Sequence, residues 1–307
     1  MGPSCPVCGA SSAVPMFEKR EGATLLHIVR CDACSHAFLE TQPTHFEAER
    51  YDYYRAYLGK PRELRQTPLN ERRYLELLET WGAQTQGRRL LDVGCGDGHL
   101  VHVAATQGWQ SEGIDLAEGA IALAQSWGIN CKVLDFFDSS FDGRQFDVIY
   151  MSELIEHVPN PVGFIERASQ LLAPSGVLYL TTPNFDSLSR RALGAQWHAI
   201  SAEHLSYFNS RSLERLFARV SSSRKARIES RNVALPSLIR GVAKRLLRRP
   251  DGERAAPATT PAASTVSADQ MLRRAIYASP MLVTALGAVN VVAKRLDIGD
   301  TLIATAK

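Results

Sequence analysis

The sequence predicts an α/β fold built on a largely parallel sheet, and three features lead there. From Arg88 to Thr182, short apolar runs alternate with helical stretches, the pattern of βαβ units. One of those runs, Leu90-Leu-Asp-Val93, passes directly into glycines at 94, 96 and 98 and then into a helix. The 307 residues are 45% hydrophobic and 22% charged, which is enough apolar material for a buried core and excludes collagen-like, coiled-coil and wholly disordered chains.

Taken in order, strands are expected at 89–93, 110–115, 131–134, 146–151 and 176–182, with helices at 100–106, 118–127 and 161–172. A further helix over 210–220 spaces Leu213, Leu216, Phe217 and Val220 to bury one face. Strands at 227–230 and 301–305 complete the pattern, and an insertion separates them. Its middle, 251–268, is almost wholly Ala, Pro, Thr, Ser and charge, so it cannot bury enough apolar area to offset its ordering entropy, and a disordered loop is expected. Helical patterns flank it at 235–249 and 269–296. The first sets Leu235, Leu238, Ile239, Val242, Leu246 and Leu247 on one face, with Arg240, Lys244, Arg245, Arg248 and Arg249 around the rest. Two uses are open for that helix: lying on an anionic membrane surface, or covering a substrate pocket as a lid.

The longest nearly apolar run, Met281 to Ala293, is 13 residues and falls short of the roughly 18–20 needed to cross a bilayer. The first residues lack a basic segment followed by an apolar one, and Pro6 stands where a myristoylation signal wants Ser or Thr. A cytoplasmic protein is expected, with peripheral contact at the inner membrane face as the alternative. A net charge of +3 makes no case for a nucleic-acid partner. The expected division is a module at 1–45, a helical connector at 46–80, a main domain at 81–232 completed by 297–307, and the insertion at 233–296.

Six cysteines fall into two groups. Cys5-Pro-Val-Cys8 and Cys31-Asp-Ala-Cys34 are two CxxC pairs with 22 residues between them, and in a reducing compartment such pairs read as metal ligands. Four thiolates suit tetrahedral Zn²⁺, and the intervening residues can form a hairpin whose strand over 24–29 leads into the second knuckle. A module of this size has little core of its own, so the ion is expected to be structural. A redox CxxC is the rival, without the thioredoxin-like surroundings it needs. His36 is a fifth candidate ligand but is expected on the surface. Cys95 and Cys131 lie in apolar segments and read as packing residues.

The glycine loop carries the most chemistry. A dinucleotide fingerprint would require glycine at 99, where the chain has His99. Asp92, two residues before the first glycine, is a poor neighbour for pyrophosphate and a good one for an ammonium group. Asp115 closes the next run, 21 residues after Gly94, where a carboxylate can accept from ribose hydroxyls. Asp135 closes the third and is followed by Phe136, a pairing suited to an adenine amine and ring face.

Asp92-Val-Gly94-Cys-Gly96-Asp-Gly98, with Asp115 and Asp135, resembles the class I S-adenosylmethionine-dependent methyltransferases over roughly Trp81 to Ser230 plus the final strand. The resemblance implies a Rossmann-like, seven-stranded sheet whose last strand is antiparallel. It puts Asp92 near the methionyl amine, Asp115 on the ribose and Asp135 near the adenine. The cofactor-binding set it implies also takes in Leu116, Phe136, Met151 and Ser152. The order of cysteine module, Tyr51-Asp-Tyr-Tyr54 and cofactor domain is similar to bacterial methyltransferases of sugar, polysaccharide and natural-product pathways.

After the fourth strand comes Ser152-Glu-Leu-Ile-Glu-His-Val158. If helical, it sets Glu153, Glu156 and His157 on one side. It resembles the Glu-x-x-Glu-His segment of ubiquinone-pathway O-methyltransferases, where such a group can hold a divalent metal near the acceptor hydroxyl. Acid/base or positioning work by His157 and a purely structural helix start are the other readings. Glu203-His-Leu-Ser-Tyr-Phe208 is similar to the His-Leu-x-x-Phe segment that many class I methyltransferases place over the acceptor, which makes His204 either a base for a hydroxyl or a buried brace.

Methyl transfer to a small-molecule or lipid-linked acceptor follows, on oxygen or carbon of a saccharide or natural-product intermediate. The alternatives are an RNA-base methyltransferase and a catalytically silent cofactor-binding scaffold. The acceptor, the atom methylated and the oligomeric state are not set by the sequence.

Overall fold

The computed structural model describes residues 3–41, 68–220, 225–233, 238 and 280–307. The chain opens with a hairpin of β1 (Ala13–Glu21) and β2 (Thr24–Cys31), followed by a short β3 (Ala37–Leu39). Helix α1 (Pro68–Gln84) leads into the alternating region: β4 (Arg89–Val93), α2 (His99–Thr106), β5 (Gln110–Asp115), α3 (Glu118–Ser126) and β6 (Cys131–Val133). Then come β7 (Phe146–Ser152), α4 (Pro161–Leu171), β8 (Leu172–Pro183), α5 (Leu188–Leu193), β9 (Ser206–Tyr207) and α6 (Ser210–Val220). Strand β10 (Ala226–Arg231), helix α7 (Pro280–Arg295) and β11 (Thr301–Ala306) close it.

The central sheet has seven strands in the order β6-β5-β4-β7-β8-β11-β10. Neighbours from β6 to β8 pair in parallel, and β11 runs antiparallel to both β8 and β10. This is the Rossmann-like class I methyltransferase architecture, with the reversed last strand that the resemblance implies. Side chains of successive strand residues enter opposite layers, because the strand period is two. Leu90, Val148, Tyr150, Val177 and Tyr179 pack with Trp81, Leu100 and Val103. Leu91, Ile149, Met151, Leu178 and Leu180 pack with Ile165, Ala168, Leu213 and Leu216. Burying each such Leu or Ile contributes roughly 1.5–3 kcal/mol, so both faces are strongly held.

Local signals set the helix starts. Asn160 Oδ1 accepts the Gly163 N–H at 3.0 Å, and Pro161 opens α4 where its missing N–H costs nothing. Asn209 and Ser212 cap α6 reciprocally, with N–H to side-chain oxygen distances of 2.8 and 3.0 Å.

Two expected boundaries change. The division at 80/81 falls inside α1, whose Trp81 packs edge-on to Tyr150 and Tyr179 in the core, so the helix belongs to the main domain. The cysteine module is also not a separate body. Strand β3 pairs with β9, Ala37 opposite Tyr207 and Phe38 opposite Ser206, to form a second sheet of order β1-β2-β3-β9. Cys5, Cys31, Cys34 and Phe38 share one core with Phe208, Leu213 and Phe217.

The expected helix at 235–249, except for Leu238, the loop at 251–268 and Tyr51 to Tyr54 lie outside the described residues. Of the helix expected at 269–296, residues 280–295 are helical. Among the described residues, no helix is long and apolar enough to cross a membrane.

Candidate functional site

The glycine loop sits at the carboxyl end of β4, where connections to α2 and from β7 leave the sheet in opposite directions and open a crevice. Gly94, Gly96 and Gly98 all have positive φ, at 75°, 55° and 75°. Gly98 has a second reason to be glycine. A Cβ there would lie 2.7 Å from Cys131 Sγ and 3.0 Å from Ile129 Cγ2, so the loop is pressed against β6.

Asp115 organises that loop. Its Oδ2 accepts the Gly96 N–H at 2.9 Å, and its Oδ1 accepts the Ala117 N–H at 2.9 Å. Leu116 follows it, half-buried. Asp92 is 4% exposed, and burial, followed by the charges of Asp115 and Asp97, pushes its pKa up to about 8. A cationic ligand beside it would reverse that shift.

Asp135 is exposed, and its Oδ1 accepts the Phe137 N–H at 2.7 Å. Phe136 does not offer its ring to a ligand as expected: it is buried in the main core, and the exposed ring at this edge is Phe137, 48% exposed and packed edge-on to Phe164. Met151 is fully buried in the core, so its side chain does not face the crevice. Ser152 Oγ instead exchanges a hydrogen bond with Thr181 Oγ1 at 2.8 Å.

The segment after β7 abuts the loop, since a Cβ on Gly94 would come 3.2 Å from Leu154 Cδ1. It is not the helix that would line up three side chains. A single 3₁₀ turn spans Ile155–His157, and Glu153 precedes it in the left-handed region at φ 53°. Glu153 therefore turns aside and accepts from Thr181 Oγ1 at 3.1 Å. Glu156 is 1% exposed, with Oε2 accepting from Thr182 Oγ1 at 2.9 Å.

His204 takes the place expected of Glu153. Ligand atoms of Glu156, His157 and His204 all lie within 4.8 Å of one another, and the two imidazoles meet edge-on at 4.6 Å. His157 Nδ1 bonds the Glu203 carbonyl at 3.0 Å. Glu156 Oε1 and His204 Nδ1 are buried without a hydrogen-bond partner among the described residues. Burial lowers the pKa of His157 to about 4 and that of His204 to about 3, while it raises Glu156 well above the usual carboxylate range.

The four other cysteines meet as the spacing predicts. Cys5 Sγ and Cys34 Sγ are 3.6 Å apart, Cys8 Sγ and Cys31 Sγ 3.5 Å, and all four sulfurs lie within 4.8 Å of one another. With Zn–S bonds of about 2.3 Å, a tetrahedral site has sulfurs about 3.8 Å apart, so this donor set fits Zn²⁺. His36 is not on the surface. It is fully buried, stacked with Phe38 and tilted against Phe208, with Nε2 at 3.2 Å from Ser206 Oγ.

Two residues of α1 escaped the sequence reading. The charge of Arg73 acts on Glu153, and Tyr74 feels both Asp92 and Asp97. The only available signal was their distance of about twenty residues before the glycine loop, which does not single them out.

This chain belongs to the family described as Methyltransferase domain, which matches residues 62–220. A ubiquinone biosynthesis O-methyltransferase of Coxiella burnetii is 34% identical over 120 residues, 36% of this chain and 51% of that protein. The Leptothrix cholodnii protein of the same name is 35% identical over 129 residues, 38% of this chain and 54% of that one. The chain thus spans about half the length of the curated relatives it matches. Among solved structures, the plantazolicin methyltransferase BpumL in complex with SAH superposes with a TM-score of 0.51 at 17% identity, covering 85% of this chain and 91% of that one, a likeness of fold.

Proposed function

We propose that the chain is an S-adenosylmethionine-dependent methyltransferase acting on a hydroxyl oxygen of a small molecule. The observation that carries the reading is the Glu156–His157–His204 cluster, set against a glycine loop whose acids suit a sulfonium nucleoside. The loop offers backbone close to the ligand, Asp115 for the ribose and buried Asp92 for the methionyl ammonium. Such positioning supplies most of the acceleration, because the sulfonium is already an activated donor.

An amine acceptor would need no proton removed, whereas a hydroxyl does. Imidazoles held neutral by burial are weak bases alone, but they are good ligands. The oxygen and two nitrogens of this cluster, with the unpartnered Glu156 Oε1 and His204 Nδ1, suit a divalent cation. Bound there, the cation would lower the pKa of the acceptor hydroxyl. Glu156 and the two imidazoles would then orient that oxygen, beside the buried Leu205. Relatives named for O-methylation in ubiquinone biosynthesis support a hydroxyl acceptor, and the saccharide or natural-product intermediate suggested by the sequence meets the same requirement.

The test is to load the protein with labelled S-adenosylmethionine and a hydroxyl acceptor such as protocatechuate, with and without Mg²⁺. Transfer to oxygen is expected. His204→Ala is expected to lower turnover by roughly 10²–10⁴-fold while leaving S-adenosylhomocysteine affinity unchanged. Equal loss of cofactor affinity in that variant would count against the assignment.

A further inference from the structure

We infer that Lys19, on the first hairpin of the cysteine module, recognises an anionic oxygen group carried by the acceptor close to the hydroxyl that is methylated. The inference rests on the acceptor-side reading above and adds to it the charge of the substrate.

Past the bulge near Pro15, alternate residues of β1 share a side, and Phe17, Lys19 and Glu21 face the segment between β8 and α6. Phe17 stacks on Phe185 at 6.5 Å between ring centres. Glu21 Oε2 accepts the Ala202 N–H at 2.7 Å, and Lys19 Nζ donates to the Ile200 carbonyl. The hairpin therefore lies along residues 200–204, the stretch that ends at His204. An ammonium has three N–H donors, and Ile200 takes one.

The charge of Lys19 acts on both His198 and His204. Among the described residues, the opposite charge that acts on Lys19 is that of Glu21, two residues along the same strand. Burial keeps His204 neutral, and the raised carboxyl of Glu156 supplies no counter-ion. The acids that act here are anchored elsewhere: Glu21 on Ala202, and Asp300, which acts on His198, on the Ser189 hydroxyl at 2.9 Å. Lys19 is half-buried, and its desolvation lowers its pKa, the condition in which a cation gains most from an anionic partner. The sulfonium cofactor is itself positive, so an anionic acceptor also completes the charge balance of the site.

The experiment uses the 307-residue chain purified without chelator and saturated with S-adenosylhomocysteine, and compares two probes by calorimetry: protocatechuate, which carries a carboxylate, and its neutral amide. Wild-type protein is expected to bind the acid roughly tenfold more tightly than the amide, the size of one charge-assisted hydrogen bond. Lys19→Met should erase that ratio while leaving amide affinity in place, and Lys19→Arg should keep most of it. A wild-type ratio near one, or an unchanged ratio in Lys19→Met, overturns the role of Lys19 alone. Failure of both diols to bind while S-adenosylhomocysteine still does overturns it together with the acceptor-side reading, and failure of S-adenosylhomocysteine to bind removes the cofactor assignment.

Discussion

The backbone N–H of Leu205 donates to the carbonyl of Glu156 at 2.8 Å, and the carbonyl of Leu205 in turn accepts the Leu39 N–H at 3.0 Å. One residue thus ties the acceptor-side turn to the third strand of the cysteine module. Arg219 Nη1 adds a bond from α6 to the Val7 carbonyl at 2.9 Å.

A prediction for the metal follows from that linkage. Wild-type protein should carry one zinc per chain by native mass spectrometry, and Cys31→Ser should carry none. Because the module shares a core with α6, the variant should also melt lower by about 5 °C or more. Turnover should suffer more than S-adenosylhomocysteine affinity, since the module's backbone bonds run through Leu205 to the Glu156 turn and not to the glycine loop. A variant with full zinc content would show the ligand set to be wrong.

Asp115 carries two duties in this conformation, as acceptor for the loop amides of Gly96 and Ala117 and as candidate acceptor for the ribose. Asp115→Ala should weaken S-adenosylhomocysteine binding by about 1.5–3 kcal/mol for the lost charge-assisted bond, with a further loss from the unbraced loop. Asp115→Asn keeps an oxygen for one amide and should lie between. Calorimetry on the two variants reads the difference.

The tight fit of Gly98 against β6 is testable in the same way. Gly98→Ala meets both a positive φ and the sulfur of Cys131, so stability should fall by about 1–3 kcal/mol. Adding Cys131→Ala should relieve the closest clash and leave the conformational part together with the Ile129 contact. Urea denaturation of the single and double variants separates the two.

What could be read from the sequence divides along contact range. Asp92 and Asp115 were legible because each ends an apolar run beside a glycine or a helix start, a local pattern. The meeting of the four cysteines was legible from two short spacings. The pairing of Ala37 with Tyr207 was not, because β9 is two residues long and its partner lies 170 residues away in the chain. The burial of His36 depends on that same pairing through Ser206, so a surface position was the natural expectation. Glu153 falls outside the cluster for a different reason: its left-handed backbone, uncommon for a residue with a side chain, breaks the helical spacing that would have aligned it with Glu156 and His157. His204 then enters the cluster from a segment that no periodicity connects to it.

The last prediction concerns Asp92 and pH. Its folded pKa is raised to about 8, above the ordinary value near 4, so between those limits the folded protein binds a proton that the unfolded chain has released. Without ligand, stability should therefore decline as pH rises from about 4 towards 8, and level off above. A ligand ammonium beside the carboxyl favours its ionised form, so binding below pH 8 must release that proton. Affinity for S-adenosylhomocysteine should then climb with pH by up to about tenfold per unit until Asp92 is ionised in the free protein, provided the ligand's own amine is still charged. Asp92→Asn should flatten both trends, with weaker binding at pH 8 and a smaller fall in the ligand-free melting temperature on going from pH 5 to pH 8. Calorimetry in two buffers of different ionisation enthalpy counts the proton directly. Binding that takes up or releases no proton at pH 6 would show that Asp92 does not face the ammonium.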